Sequence, residues 1–203
     1  MTVQAVEKRF SDERIRRSIS RILRENVLCS MSTVAPGNRA HINTAYFCYT
    51  RELVLYFLSE PGSRHGRNLE RNPSLAMTIF KSAQEWGGQD RGLQLFGTCR
   101  RTHRRGAKEA ERFYAARFSP YAKWMKGMSP AERQQAALLR SYAFYRFLPS
   151  RIKILDEREF GGAIFVTAGV IRSPQAKTVV RWSGTERLSP EPVLASRTPK
   201  AIK

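Results

Sequence analysis

Cysteine is scarce in this sequence: Cys29, Cys48 and Cys99 stand far apart, odd in number and without a CxxC, which argues against a disulfide framework or a zinc ribbon. Histidine is as sparse, and His41, His65 and His103 show no metal-ligand spacing. The longest apolar run, Leu53 to Leu58, falls far short of the roughly 20 residues that span a bilayer. The opening MTVQAVEKRFSDER carries charges where a signal peptide needs an apolar core, so the expectation is a soluble, cytoplasmic protein. Nucleophile elbow, paired-acid motif, metal signature and internal repeat are all missing, which leaves no sign of a protease-like or hydrolase-like centre.

Acidic residues are also in deficit. Asp and Glu number 17 against 36 Lys and Arg, for a formal net charge of +19, so the surface field favours anionic partners. Nucleic acid, an acidic membrane surface and a phosphorylated cofactor all fit that field. At 203 residues and 41% hydrophobic, the chain is long enough for one core with an appended tail.

Ser11 is placed to cap a first helix whose Ile15, Ile19, Ile22 and Leu23 form a buried stripe, with Arg14, Arg17, Arg21 and Arg24 on a solvated face. From Val27 the period changes to two. VLCSMSTV, HINTAYFCYT and ELVLYFLS read as strands of a meander, SLAMTIFKS and GLQLFGTCRRT as two more, and SYAFYRFLPSRIKIL as a closing strand or pair interrupted at Pro149. GAIFVTA adds a short edge piece. Helices are inserted at about 106–140, where AKEAERFYAARF has an apolar face and Ser129 to Glu132 form a capping box. The fold class is thus mainly β, an antiparallel barrel of six or so strands with flanking helices. Residues 1–168 form that domain, and 169–203 a basic tail, extended or disordered or an arm on a partner subunit.

The segment with chemistry in it is PGSRHGRNLERNP. A strand end, a Gly-Ser turn and a helix start present backbone N–H groups and a helix dipole to an anion, and Ser63, Arg64, His65 and Arg67 are candidate donors around it. The helix must end near Asn72, before Pro73. Tyr46, Trp86 and Trp124 are candidates to wall a planar ring, with a place in the core as the alternative.

The order of HINTAYFCYT, ELVLYFLSEPGSRHGRNLERNPSLAMTIF and RGLQLFGTCRR resembles the pyridoxamine phosphate oxidase-like family of FMN-binding split barrels, over roughly residues 12 to 160. The resemblance implies a flavin phosphate gripped by Ser63 and Arg64, with Ser59 at the preceding strand end. It also implies an isoalloxazine ring laid along Asn43, Thr44, Ala45 and Tyr46, and a polar contact from Gln94. It departs from the true oxidases of vitamin B6 metabolism: Asn43, Cys48 and His65 stand where those carry cationic donors, with Arg67 or Lys81 as replacements. The element that holds the pyridoxal ring has no counterpart in ILDEREFGGAIF. RGLQLFG followed by FYAARFSP is similar instead to the stress-related branch. The implied protein is a homodimeric FMN-dependent oxidoreductase acting on a small molecule, with NAD(P)H as a possible reductant. Deazaflavin and haem are the alternative cofactors within the fold. The alternative function, a basic nucleic-acid-binding module, rests on the arginine-bearing first helix, on Cys99 to Lys108 and on the tail.

Overall fold

Residues 2–81, 83–173 and 176–189 are described by the computed structural model. Within them run β1 (Thr2–Ala5), α1 (Asp12–Glu25), β2 (Leu28–Ala35), β3 (Arg39–Tyr49), β4 (Leu55–Ser59), α2 (Arg64–Arg71), β5 (Ser74–Phe80), β6 (Arg91–Arg101), α3 (Arg104–Arg117), α4 (Ser119–Lys126), α5 (Pro130–Arg140), β7 (Ala143–Asp156), α6 (Glu157–Phe160), β8 (Ile164–Ser173) and β9 (Ala176–Ser189). The antiparallel sheet has the order β1-β9-β8-β7-β4-β3-β2-β5-β6, and β6 pairs back with β7. Strands β2 to β7 therefore close a six-stranded barrel, in which β3 and β4 pair only from Phe47 to Tyr49 against Leu55 to Phe57. The remaining three strands extend the sheet from β7.

Closure needs a corner, and the sequence supplies it at Gly97. A side chain there would lie 2.1 Å from the Leu148 carbonyl oxygen, and the β6–β7 register shifts between Phe96 and Gly97, opposite Pro149. Pro149 thus sits at a bulge within one continuous closing strand, where its missing N–H breaks no regular ladder.

Helix α1 starts where Ser11 Oγ accepts from the Arg14 N–H at 3.3 Å, with Asp12 and Glu13 at its positive end. Its Ile15, Ile19, Ile22 and Leu23 are buried in the barrel core with Phe47, Leu55, Phe57, Tyr145 and Phe147. Each contributes roughly 1.5–3 kcal/mol by burial. The Phe57 and Tyr145 rings stack at 5.2 Å. A second cluster of Cys48, Tyr56, Ala110, Tyr114, Tyr121 and Phe144 joins α3 and α4 to the outer face of β3, β4 and β7.

Two features differ from the sequence reading. The arginines of α1 are not uniformly solvated: Arg14 pairs with Glu159, and Arg21 reaches the fully buried Asp156 at 2.5 Å, where Ser18 Oγ also donates. The expected boundary at 168/169 falls inside β8, and the chain beyond it continues as β9, paired with β8 and β1. Residues 190–203 of the expected tail lie outside the described residues. Among the described residues no helix is long and apolar enough to cross a membrane.

Candidate functional site

Strand β4 ends at Ser59, and the turn through Gly62 enters α2 at Ser63, whose hydroxyl accepts from the Gly66 N–H at 3.2 Å. The helix is seated by Asn68, which donates from Nδ2 to Thr33 Oγ1 of β2 at 3.0 Å in the interior. Its C-cap is Asn72, just ahead of Pro73. The α2 N-terminus is in this way held against the barrel rim, with its free N–H groups beside β3 and β4.

At that rim His65 Nε2 is shared between Ser59 Oγ at 2.6 Å and Ser63 Oγ at 3.1 Å. The His41 ring of β3 lies 6.5 Å away and nearly parallel to it. Burial first, and the neighbouring His41 second, push His65 below the ordinary histidine range. Arg64 is exposed and makes no ion pair or hydrogen bond among the described residues, whereas the Arg67 guanidinium folds back to donate to the Gly62 carbonyl oxygen.

A cleft of about 540 Å³ opens from this rim. Asn43, Thr44, Ala45 and Tyr46 form one wall with Ser59 and His65, and the helical insertion forms the other through Tyr114, Phe118, Tyr121 and Trp124. Tyr46 meets Phe118 edge-on at 5.7 Å, so the two walls touch. Among the described residues no Asp, Glu, Lys or Arg lines the cleft, although the chain carries 53 such residues. Burial raises the Tyr114 and Tyr121 phenols, which stay neutral. Asn43 Oδ1 is buried without a hydrogen-bond partner. Cys48, within the second cluster, is pushed up to about 12, by burial above all, and stays a thiol.

Of the residues picked from the sequence, the structure therefore gathers Asn43, Thr44, Ala45, Tyr46, Ser59 and His65 on one cleft, with Ser63, Arg64 and Arg67 on the adjoining turn and helix. Gln94 stands apart. It lies on the same outer sheet face as Thr44, but along the row Thr44, Ser30, Thr78, Gln94. Three strand spacings separate them, about 14 Å. Trp124 lines the cleft, whereas Trp86 is fully exposed outside it. Sequence reasoning missed His41 and most of the helical wall. The period-two step from Asn43 to His41 was the available signal for the first, and the aromatic run FYAARF for the second.

A family model described as pyridoxamine 5′-phosphate oxidase matches residues 15–156. A pyridoxamine 5′-phosphate oxidase-related, FMN-binding protein from Nostoc punctiforme is similar in structure at 15% identity, with 86% of this chain and 96% of that chain covered and a TM-score of 0.53. A protein related to general stress protein 26 from Clostridium acetobutylicum matches at 10% identity, over 79% and 96% of the two chains, with a TM-score of 0.53. A heme-binding protein from Mycobacterium smegmatis matches at 13% identity and a TM-score of 0.58, over 80% of this chain and 59% of its own length. No curated protein matches the chain.

Proposed function

The chain belongs to the pyridoxamine 5′-phosphate oxidase family, and from that premise we propose that it binds flavin mononucleotide and works as a flavin-dependent oxidoreductase on a small molecule. The observation that carries this reading is the continuity of an anion-ready turn with an uncharged aromatic cleft of about 540 Å³. A ligand matched to both ends has an anionic ester at one end and a flat apolar ring system at the other.

The donor set fits such a ligand. Ser63, the free Arg64 guanidinium and the first N–H groups of α2 would hold the phosphate. The backbone of β3 from Asn43 to Tyr46 would run beside the ring, and the orphaned Asn43 Oδ1 is an acceptor suited to a ring N–H. When bound, the flavin supplies the hydride or electron chemistry itself. Tyr114, Phe118 and Tyr121 would exclude water from the space beside it. NAD(P)H is the proposed reductant.

We also propose a two-fold dimer. Away from the end of β3 that α3 and α4 cover, the outer face of β2, β3 and β5 exposes Leu28, Ile42, Tyr46 and Phe80 around an uncharged row of Thr44, Ser30, Thr78 and Gln94. Pairing that face with its copy would allow the partner's Gln94 to reach a cleft that Gln94 of the same chain cannot. Haem is the second reading, suggested by the Mycobacterium smegmatis neighbour. Flavin is preferred because both serine hydroxyls already occupy Nε2 of His65, the histidine that lines the cleft.

Freshly purified protein should be yellow and should release FMN on heating. Arg64→Ala should weaken FMN binding roughly 10- to 100-fold, the loss of about 1.5–3 kcal/mol of charge-assisted hydrogen bonding. Colourless protein that FMN cannot reconstitute would sink the proposal.

A further inference from the structure

Building on the flavin reading, we infer that His65, backed by His41, is the group through which the site selects a phosphorylated ligand, by gaining a proton as the phosphate enters. Fixed positive charge at the turn is thin. Arg67 is committed to the Gly62 carbonyl, which leaves Arg64 as the one uncommitted guanidinium of the α2 first turn. A phosphate monoester carries close to two negative charges at neutral pH. The second charge has to come from a group that gains it on binding, and His65 is the titratable side chain on the cleft wall at this rim.

The surroundings of His65 leave that proton site uncontested. Strand β3 turns His41 and Asn43 towards it, β4 supplies Ser59, and the turn supplies Ser63 and the exposed Glu60, whose carboxylate leans over Gly62. From β7 comes the Tyr145 hydroxyl, close to Gly66, and from its own helix come Arg64, Arg67 and Glu70. The helical wall adds the Tyr121 and Tyr142 phenols. No carboxylate bonds to the His65 imidazole among the described residues, so no internal ion pair holds a proton on it. Burial and the second imidazole both favour the neutral form of His65. An arriving dianion outweighs both effects, because the charged ring then has an opposite charge beside it.

The sign follows from linkage. The free site has the lower histidine pKa and the bound site the higher one, so the complex holds more protons than its parts and affinity rises as pH falls between the two values. Each unit by which the bound pKa exceeds the free one is worth a tenfold change in affinity across that window.

The test is to titrate flavin-depleted full-length protein with FMN and with riboflavin, which lacks the phosphate, from about pH 8.5 down to about pH 6.5, where the ester is still mostly dianionic. Quenching of flavin fluorescence gives the dissociation constants, and calorimetry in buffers of different ionisation heat gives the protons taken up. For the wild type, FMN should tighten about tenfold or more towards the acid end with net proton uptake, while riboflavin stays flat. His65→Lys should bind FMN as tightly at the alkaline end as the wild type does at the acid end, and His65→Gln should be weak throughout, both without the slope. An FMN affinity that does not change with pH, or a slope that survives in His65→Gln, overturns the inference while leaving the flavin reading intact. Failure of both flavins to bind any variant at any pH removes the flavin reading, and this inference with it.

Discussion

Gly66 sits where a side chain has no room: a Cβ would fall 2.5 Å from the Pro61 carbonyl oxygen, 2.8 Å from the Tyr145 hydroxyl and 3.1 Å from Ser63 Oγ. Two of these neighbours are a turn backbone and a buried ring, and neither yields cheaply. Gly66→Ala should therefore lower stability by about 1–3 kcal/mol in urea denaturation despite the better helix propensity of alanine. It should also tilt the α2 start off the cleft, so that FMN affinity drops together with stability. A Gly66→Ala protein with full stability and unchanged FMN affinity would mean that the turn is looser than these distances imply. At this scale the sequence was informative where function depends on neighbours in the chain. Ser63, Arg64 and His65 are adjacent, and the Gly-Ser turn before a helix is visible in one line of text. It was uninformative where function depends on register: that Gln94 stands three strands from Thr44 follows from the order of pairing, which no local pattern encodes.

Among the elements, α3 does more than wall the cleft. Its last residue, Arg117, donates from Nη2 to the Leu23 carbonyl oxygen at 2.8 Å and to that of Asn26, both at the C-terminal end of α1. The same guanidinium lies over the Phe47 and Tyr49 rings at 5.1 and 4.9 Å. A cation at the negative end of a helix, stacked on two aromatic faces, joins the inserted helices to the barrel. Arg117→Met keeps most of the packing volume but removes the charge and the donors. It should cost about 1–2 kcal/mol, seen as a lower urea midpoint at unchanged m-value. The helices and barrel strands were legible because capping residues and apolar periodicity coincide in them: Ser11 with the isoleucine stripe of α1, Ser129 with the start of α5. Strand β9 was not. Its inward positions include Thr178 and Thr185 beside Val180, and Thr185 Oγ1 accepts from Trp182 Nε1 while donating to the Lys8 carbonyl. Polar inward residues satisfied by distant partners erase the hydrophobic alternation by which a strand is recognised. The pairing of Arg14 and Arg21 with acids more than 130 residues away escapes a reading of the α1 face for the same reason.

For the whole molecule, a net charge of +19 sets the terms of association. Several of its acids are already committed to internal ion pairs, Asp156 and Glu159 with α1, Glu25 with Arg91 and Glu186 with Lys153, so the excess positive charge stays on the surface. Two such molecules repel unless the surfaces that meet are free of charge. The face carrying Leu28, Ile42, Tyr46 and Phe80 comes near that condition, with charge only at its border in Glu25 and Lys81, Ile42 70% exposed on β3 and Tyr46 continuing into the cleft. A carboxylate placed at Ile42 would be desolvated on pairing with no certain partner, a cost of several kcal/mol at each of two symmetric positions. Ile42→Asp should therefore convert a species of twice the 23.3 kDa chain mass into monomer in sedimentation, with the barrel's circular dichroism preserved. Flavin content should fall with it, because each cleft loses the partner's contribution. A wild-type chain that sediments as monomer, or an Ile42→Asp dimer that keeps its flavin, would mean that the cleft is complete within one chain and that the exposed apolar face has another use.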